Sequence, residues 1–161
     1  AFVTVRHEIS TDLENAISEE HDIVYRDHAL EGMKSPPAKK VSQIADYTKK
    51  IEPDPVLLFR YSALTFNGHR IHYDRDYVTK NEGYPGLIVH GPLLATLLVD
   101  LLSEQFPGKT LSQFEFKAMR PVFDLDTFEV CGSIPDNEGN LQLWIKGPDD
   151  ALCMHSNAVI I

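Results

Sequence analysis

The spacing of hydrophobic and polar positions changes character along the chain. Residues 2–9 (FVTVRHEI) and 16–25 (AISEEHDIVY) are rich in β-formers and flank a polar connection, which predicts the two strands of a hairpin. The stretch that follows, 31–55, holds Pro36, Pro37, Pro53 and Pro55 among many charges and reads as a linker with a short helix around 41–49. The run 56–65 (VLLFRYSALT) reads as a strand, 74–80 as a short helical turn, and Gly83, Pro85 and Gly86 mark a loop.

From Pro92 to Gln105 the pattern predicts a helix with Leu or Val on nearly every face, entered at Pro92 and stopped at Pro107-Gly108. A helix apolar all round is expected to be wrapped by other structure. Beyond it the period becomes two. Phe114, Phe116 and Ala118 alternate with Glu115, Lys117 and Met119, and Leu141, Leu143 and Ile145 alternate with Gln142, Trp144 and Lys146, the mark of half-buried antiparallel strands. Residues 127–133 and 151–161 add two more, joined by turns at 135–140 and 147–150. The expected architecture is α+β: an antiparallel sheet wrapped around a long central apolar helix.

With 161 residues the chain is long enough for one domain with a sizeable core, plus extras. A formal net charge of -9 argues against nucleic acid or an anionic membrane as the main partner, because either needs a basic face. Cys131 and Cys153 lie in apolar or alternating runs without metal-ligand spacing, so they read as core residues and fit a reducing compartment. No apolar run approaches the roughly 20 residues of a membrane span.

Candidate chemistry gathers in one stretch. Asn67 and His72 stand five residues apart in TFNGHRIHYD, and His90-Gly91 lead directly into the apolar helix. An imidazole titrating near neutrality, an orienting amide and a helix N-terminus with free N–H groups together suit an enzyme acting on a carbonyl compound. His72 could equally be a satisfied histidine at a strand end, and the neighbouring features are what favour function. His90 reads as a packer or a donor behind the site. His69, three before His72, lacks a third ligand at metal spacing, so no metal is expected. His7, His21, His28 and His155 read as surface or interface residues.

These residues resemble the hot-dog-fold hydratases and dehydratases of the MaoC type. That family pairs an Asp with a His five residues on, in a context like GDxNPxH, and enters its central helix through a histidine-glycine step. Here Asn67 and His72 occupy the Asp and His positions, Ile71 precedes the histidine, and His90-Gly91 match the helix entry, over residues 54–161. The spelling SALTFNGHRIHYD with EGYPGLIVHGPLLATLL is similar to the branch containing mesaconyl-C4-CoA and itaconyl-CoA hydratases and mitochondrial 3-hydroxyacyl-thioester dehydratases. Two departures stand out. Asn67 replaces an Asp and cannot be a base, and Leu125 stands where the family has the glycine of a glycine-aspartate turn.

The resemblance implies a hot-dog fold and reversible hydration of an enoyl thioester, with His72 as general acid-base and Asn67 orienting water. The Gly91 N–H, beside His90, would donate to the developing oxyanion. Tyr73 and Tyr84 are candidates to line the acyl pocket, though ordinary packing explains them as well, and Arg70 and Arg120 are candidates for coenzyme A phosphates against a default of plain surface placement. No cofactor is implied beyond the pantetheine of coenzyme A or an acyl carrier protein on the substrate. In that branch two hot dogs commonly share a chain, so residues 1–30 would be the last strands of a preceding one, 31–53 a linker and 54–161 the hot dog. A homodimer or a pseudo-dimer with a second hot dog, in the cytoplasm or mitochondrial matrix, follows. Two alternatives stay open: a hot-dog thioesterase drawing on Asp100 or Glu104, and a non-catalytic acyl-thioester-binding hot dog in which Asn67 marks a lost acid.

Overall fold

The computed structural model describes residues 1–25 and 37–161, in two compact units, Ala1–Pro36 and Pro37–Ile161. In the first, β1 (Phe2–Ser10) and β2 (Asn15–Val24) form the expected antiparallel hairpin. Its register sets Val3 opposite Ile23 and Ile9 opposite Ile17 on one face. On the other, Thr4 Oγ1 donates to Asp22 Oδ1 at 2.6 Å and Arg6 pairs with Glu20 at 2.5 Å. The Thr11 hydroxyl closes the turn by accepting the N–H groups of Leu13 and Glu14. His28 lies outside the described residues.

The second unit is built on an antiparallel sheet of five strands in the order β3-β5-β6-β7-β4. These are β3 (Tyr47–Ile51), β4 (Leu111–Ala118), β5 (Phe128–Gly132), β6 (Asn140–Lys146) and β7 (Leu152–Ile160). The last four fall where the period-two patterns place them. Strand β3 does not. The stretch 41–49 forms no helix; burial alternates residue by residue from Val41 to Ile51, and β3 pairs with β5 along the sheet edge. Much of the expected linker is therefore part of the sheet's own unit. Residues 40–45 also cover the sheet's outer face. Lys40 bridges Ala151, the Val41 N–H donates to Asp150, and Val41 and Ala45 pack on Trp144, Cys131 and Leu152. Trp144, out of phase with the inward Leu143 and Ile145, is buried for that reason.

The run 56–65 is a helix rather than a strand: α1 (Pro55–Leu64). Asp54 caps it, its carboxylate accepting the Leu57 N–H at 2.6 Å, and Pro55 takes the first turn, where its missing N–H costs nothing. Leu58 and Ser62, one turn apart, are its buried positions. The signal was present in Asp54-Pro55, but a short apolar run rich in β-formers does not distinguish strand from helix by periodicity.

Helix α2 (Arg75–Lys80) follows as expected, capped by Asp74. The long helix α3 (Gly91–Gln105) also stands where expected, but it is not wrapped on all sides. Leu93, Leu94, Leu98, Leu101 and Leu102 face the core formed with β5, β6 and β7, while Thr96, Asp100, Ser103 and Glu104 are exposed. Lys49 of β3 reaches across to Asp100 at 3.5 Å and Glu104 at 2.5 Å. Cys131 and Cys153 are buried free thiols. Strand β4 is an edge, and Phe116 and Ala118 on it are exposed rather than half-buried. Among the described residues no helix is long and apolar enough to cross a membrane.

Candidate active site

The end of α1 sets the first part of the site. The Asn67 N–H donates to the Ser62 carbonyl at 2.9 Å and the Phe66 N–H to the Ala63 carbonyl at 3.5 Å, the paired bonds of a Schellman cap. That cap needs a left-handed residue, usually glycine, and Phe66 fills it with φ 53°. Asn67 then turns the chain: its Oδ1 accepts the His69 N–H at 3.0 Å. The chain enters a 3₁₀ turn at Arg70–His72, which carries His72 inward.

His72 is 8% exposed. Its Nδ1 lies 2.7 Å from the Ile88 carbonyl, which can only accept, so Nδ1 carries a proton and the neutral ring keeps its lone pair on Nε2. Burial lowers the His72 pKa from its ordinary 6.5; the Ile88 bond opposes this and the nearby His69 ring adds to it. The loop supplying Ile88 is held from two sides. Its N–H donates to the Ile71 carbonyl at 3.1 Å, and the Asp124 carboxylate, 1% exposed, accepts the Leu87 N–H at 2.9 Å while pairing with Arg75 of α2. Gly86 permits this approach, since a Cβ there would sit 2.8 Å from Asp124 Oδ1.

The His72 ring stacks on His90 with centroids 3.7 Å apart and planes 18° from parallel. His90 is fully buried, with Nε2 2.8 Å from the Ser62 hydroxyl and Nδ1 without a partner among the described residues. Burial, then the neighbouring His72, pushes its pKa down to about 4. It is also the N-cap of α3, yet its side chain caps nothing. Gly91 begins the helix half-buried, Pro92 has no N–H, and a Cβ added to Gly91 would meet nothing within 4 Å. Among the described residues the helix start therefore opens on free space with unspent donors and the positive end of the helix dipole.

The structure thus brings His72, His90 and Gly91 together, with Asn67 linked to them through Ser62 and His69. The other candidates have local partners. Arg70 pairs with Asp74 at 2.8 Å and lies over the Tyr77 ring; the Tyr73 hydroxyl donates to the Gly68 carbonyl at 2.8 Å; Tyr84 packs against the core and Phe123. Residues that the sequence reading passed over are Ser62, hidden in a run taken for a strand, and Asp124 with Arg75, which carry no local motif. Among the described residues no cluster of three His, Cys, Asp or Glu could hold a metal.

Comparison with known proteins places this chain in a family. The family model described as hydroxyacyl-thioester dehydratase type 2 matches residues 1–124. Mesaconyl-C(4)-CoA hydratase of Chloroflexus aurantiacus is 43% identical over 155 residues, 96% of this chain and 54% of that protein. The mitochondrial hydroxyacyl-thioester dehydratase type 2 of Schizosaccharomyces pombe is 36% identical over 112 residues, 68% of this chain and 36% of that protein. The chain spans about half or less of the length of these relatives. Among solved structures, HtdX from Mycobacterium tuberculosis superposes with a TM-score of 0.76 at 18% identity over 98% of this chain and 61% of that one. The (R)-hydratase from A. caviae, involved in PHA biosynthesis, gives 0.60 at 23% identity over 74% and 96%. These likenesses establish the hot-dog fold. With three quarters of its length matched by the family model, the chain belongs to the hydroxyacyl-thioester dehydratase type 2 family.

Proposed function

We propose that the protein catalyses reversible hydration of an enoyl thioester, and equally dehydration of a 3-hydroxyacyl thioester, with His72 as the general acid-base. The observation that carries this reading is the fixed tautomer of His72: Nδ1–H is spent on Ile88, leaving Nε2 as the proton acceptor beside an uncapped helix start. In hydration, Nε2 takes a proton from water as the water oxygen bonds to Cβ, and the double-bond electrons pass through Cα onto the thioester oxygen. The Gly91 N–H donates to that oxygen, and such a donor contributes roughly 3 kcal/mol in the transition state. The imidazolium then returns the proton to Cα, which restores the neutral ring. Asn67 orients the water; one Oδ1 lone pair serves the His69 N–H, leaving the second and the amide N–H groups.

The pantetheine carrier is coenzyme A or an acyl carrier protein, and the protein works without another cofactor, beside a second hot dog, in the cytoplasm or mitochondrial matrix. The thioesterase alternative is disfavoured by Asp100 and Glu104, which stand exposed on the outer side of α3 and pair with Lys49.

Loss of enoyl-thioester absorbance with crotonyl-CoA and mesaconyl-CoA tests the reading. His72→Ala is expected to lose on the order of 100- to 10,000-fold in kcat. Release of free thiol without loss of the double bond would replace the hydratase reading with the thioesterase, and binding without turnover would leave an acyl-thioester-binding module.

A further inference from the structure

Ser62 holds two parts of the site at once. Its carbonyl accepts the Asn67 N–H at 2.9 Å, and its hydroxyl lies 2.8 Å from His90 Nε2. A serine or threonine inside a helix commonly turns its hydroxyl back to the carbonyl one turn earlier, as Thr96 of α3 does toward Pro92. Ser62 forgoes that bond, and among the described residues its hydroxyl meets His90 alone. Among the described residues the His90 ring has no other polar contact, with Nδ1 buried and unpaired, a cost that folding tolerates here. Its ring lies 4.8 Å from the Tyr61 ring and is stacked on His72.

The single bond from His72 Nδ1 to Ile88 anchors one edge of that imidazole but not its plane, because the terminal torsion of histidine is broad. The plane is set by the ring beneath it. We propose that Ser62 is a positioning residue for the His72 base: its hydroxyl fixes the His90 ring, and the stacked His90 ring fixes the direction in which His72 Nε2 presents its lone pair. This rests on the reading of His72 as the general base. Helix α1, the entry of α3 and the 3₁₀ turn are thereby joined through three side chains, with Ser62 itself touching no substrate.

The test uses the full chain with Ser62→Ala, His90→Phe and the double variant, read by crotonyl-CoA hydration and by NMR of the His72 Nδ1–H. Ser62→Ala is expected to lower kcat on the order of 10- to 100-fold, with KM changed by less than about twofold, as for a misaimed group. Because Ser62 acts through His90, adding Ser62→Ala to His90→Phe is expected to change kcat by less than about twofold. Multiplying losses, or full kcat in Ser62→Ala, overturns the proposal. The NMR reading does not need turnover: a slowly exchanging Nδ1–H in the parent chain is expected to exchange faster in Ser62→Ala, and an unchanged rate overturns the proposal. A faster rate in a chain that turns over no enoyl thioester supports the positioning role and rejects the hydratase reading instead. Ser62→Cys, close in size and a weaker donor, gives the same directions if Ser62→Ala does not fold.

Discussion

His72 combines burial with a fixed tautomer, and both shape its chemistry. Burial disfavours the imidazolium and lowers its pKa below 6.5, so the ring remains a base to lower pH than a solvated histidine. With Nε2 as the proposed base, the rate of hydration is expected to fall as pH drops through that lowered pKa. The acid limb of kcat/KM, which reports the free enzyme, is therefore expected below about pH 6.5 and should vanish in His72→Ala. A profile whose acid limb lies above about pH 7 would contradict it. Asn67, by contrast, has no titration to offer, and its legible feature is its place five residues before His72. That spacing and the His90-Gly91 step could be read from the chain because they are local. The bonds that make them a site, Ser62 to His90, Ile88 to His72 and Asp124 to Leu87, span 28, 16 and 37 residues and left no motif to find.

At the scale of elements, the junction between α1 and the 3₁₀ turn is under strain. Phe66 holds a left-handed backbone conformation that penalises a side chain by about 1 kcal/mol or more, and it is 96% exposed, so no packing offsets the cost. Phe66→Gly is expected to raise stability by about 1 kcal/mol in urea unfolding, since glycine suits this cap position. Destabilisation would show that the ring makes contacts that the described residues do not supply. The same junction explains the misreading of α1. Its apolar run is short, its composition favours strands, and only the Asp54 cap and Pro55 argue otherwise. The stretch 41–49 failed in the opposite sense, because its extended form is maintained by bonds to Gly132 and Asp150 far along the chain. Helix α3 and the four later strands were legible, their periods being long and clean.

For the whole molecule, His90 makes stability depend on pH. Its folded pKa of about 4 lies below the ordinary 6.5, so between these values the unfolded chain binds the proton and the folded one does not. Its contribution is complete above about pH 6.5, declines as pH falls toward about 4, and changes no further below that. The loss is on the order of 3 kcal/mol. His90→Phe is expected to flatten the stability curve in that window by a comparable amount, measured by urea unfolding at matched pH; an unchanged slope would show that His90 titrates normally. Local order in the chain was enough to specify a hairpin, a long apolar helix and alternating strands, because periodicity and caps act over a few residues, while the hot-dog class followed from the family resemblance of the stretch around Asn67, His72 and His90-Gly91. Which side of α3 meets water, why Trp144 is buried and how His72 comes to lie on His90 depend on contacts between segments tens of residues apart. Those contacts exist only once the sheet, α1 and the 84–90 loop have closed on one another.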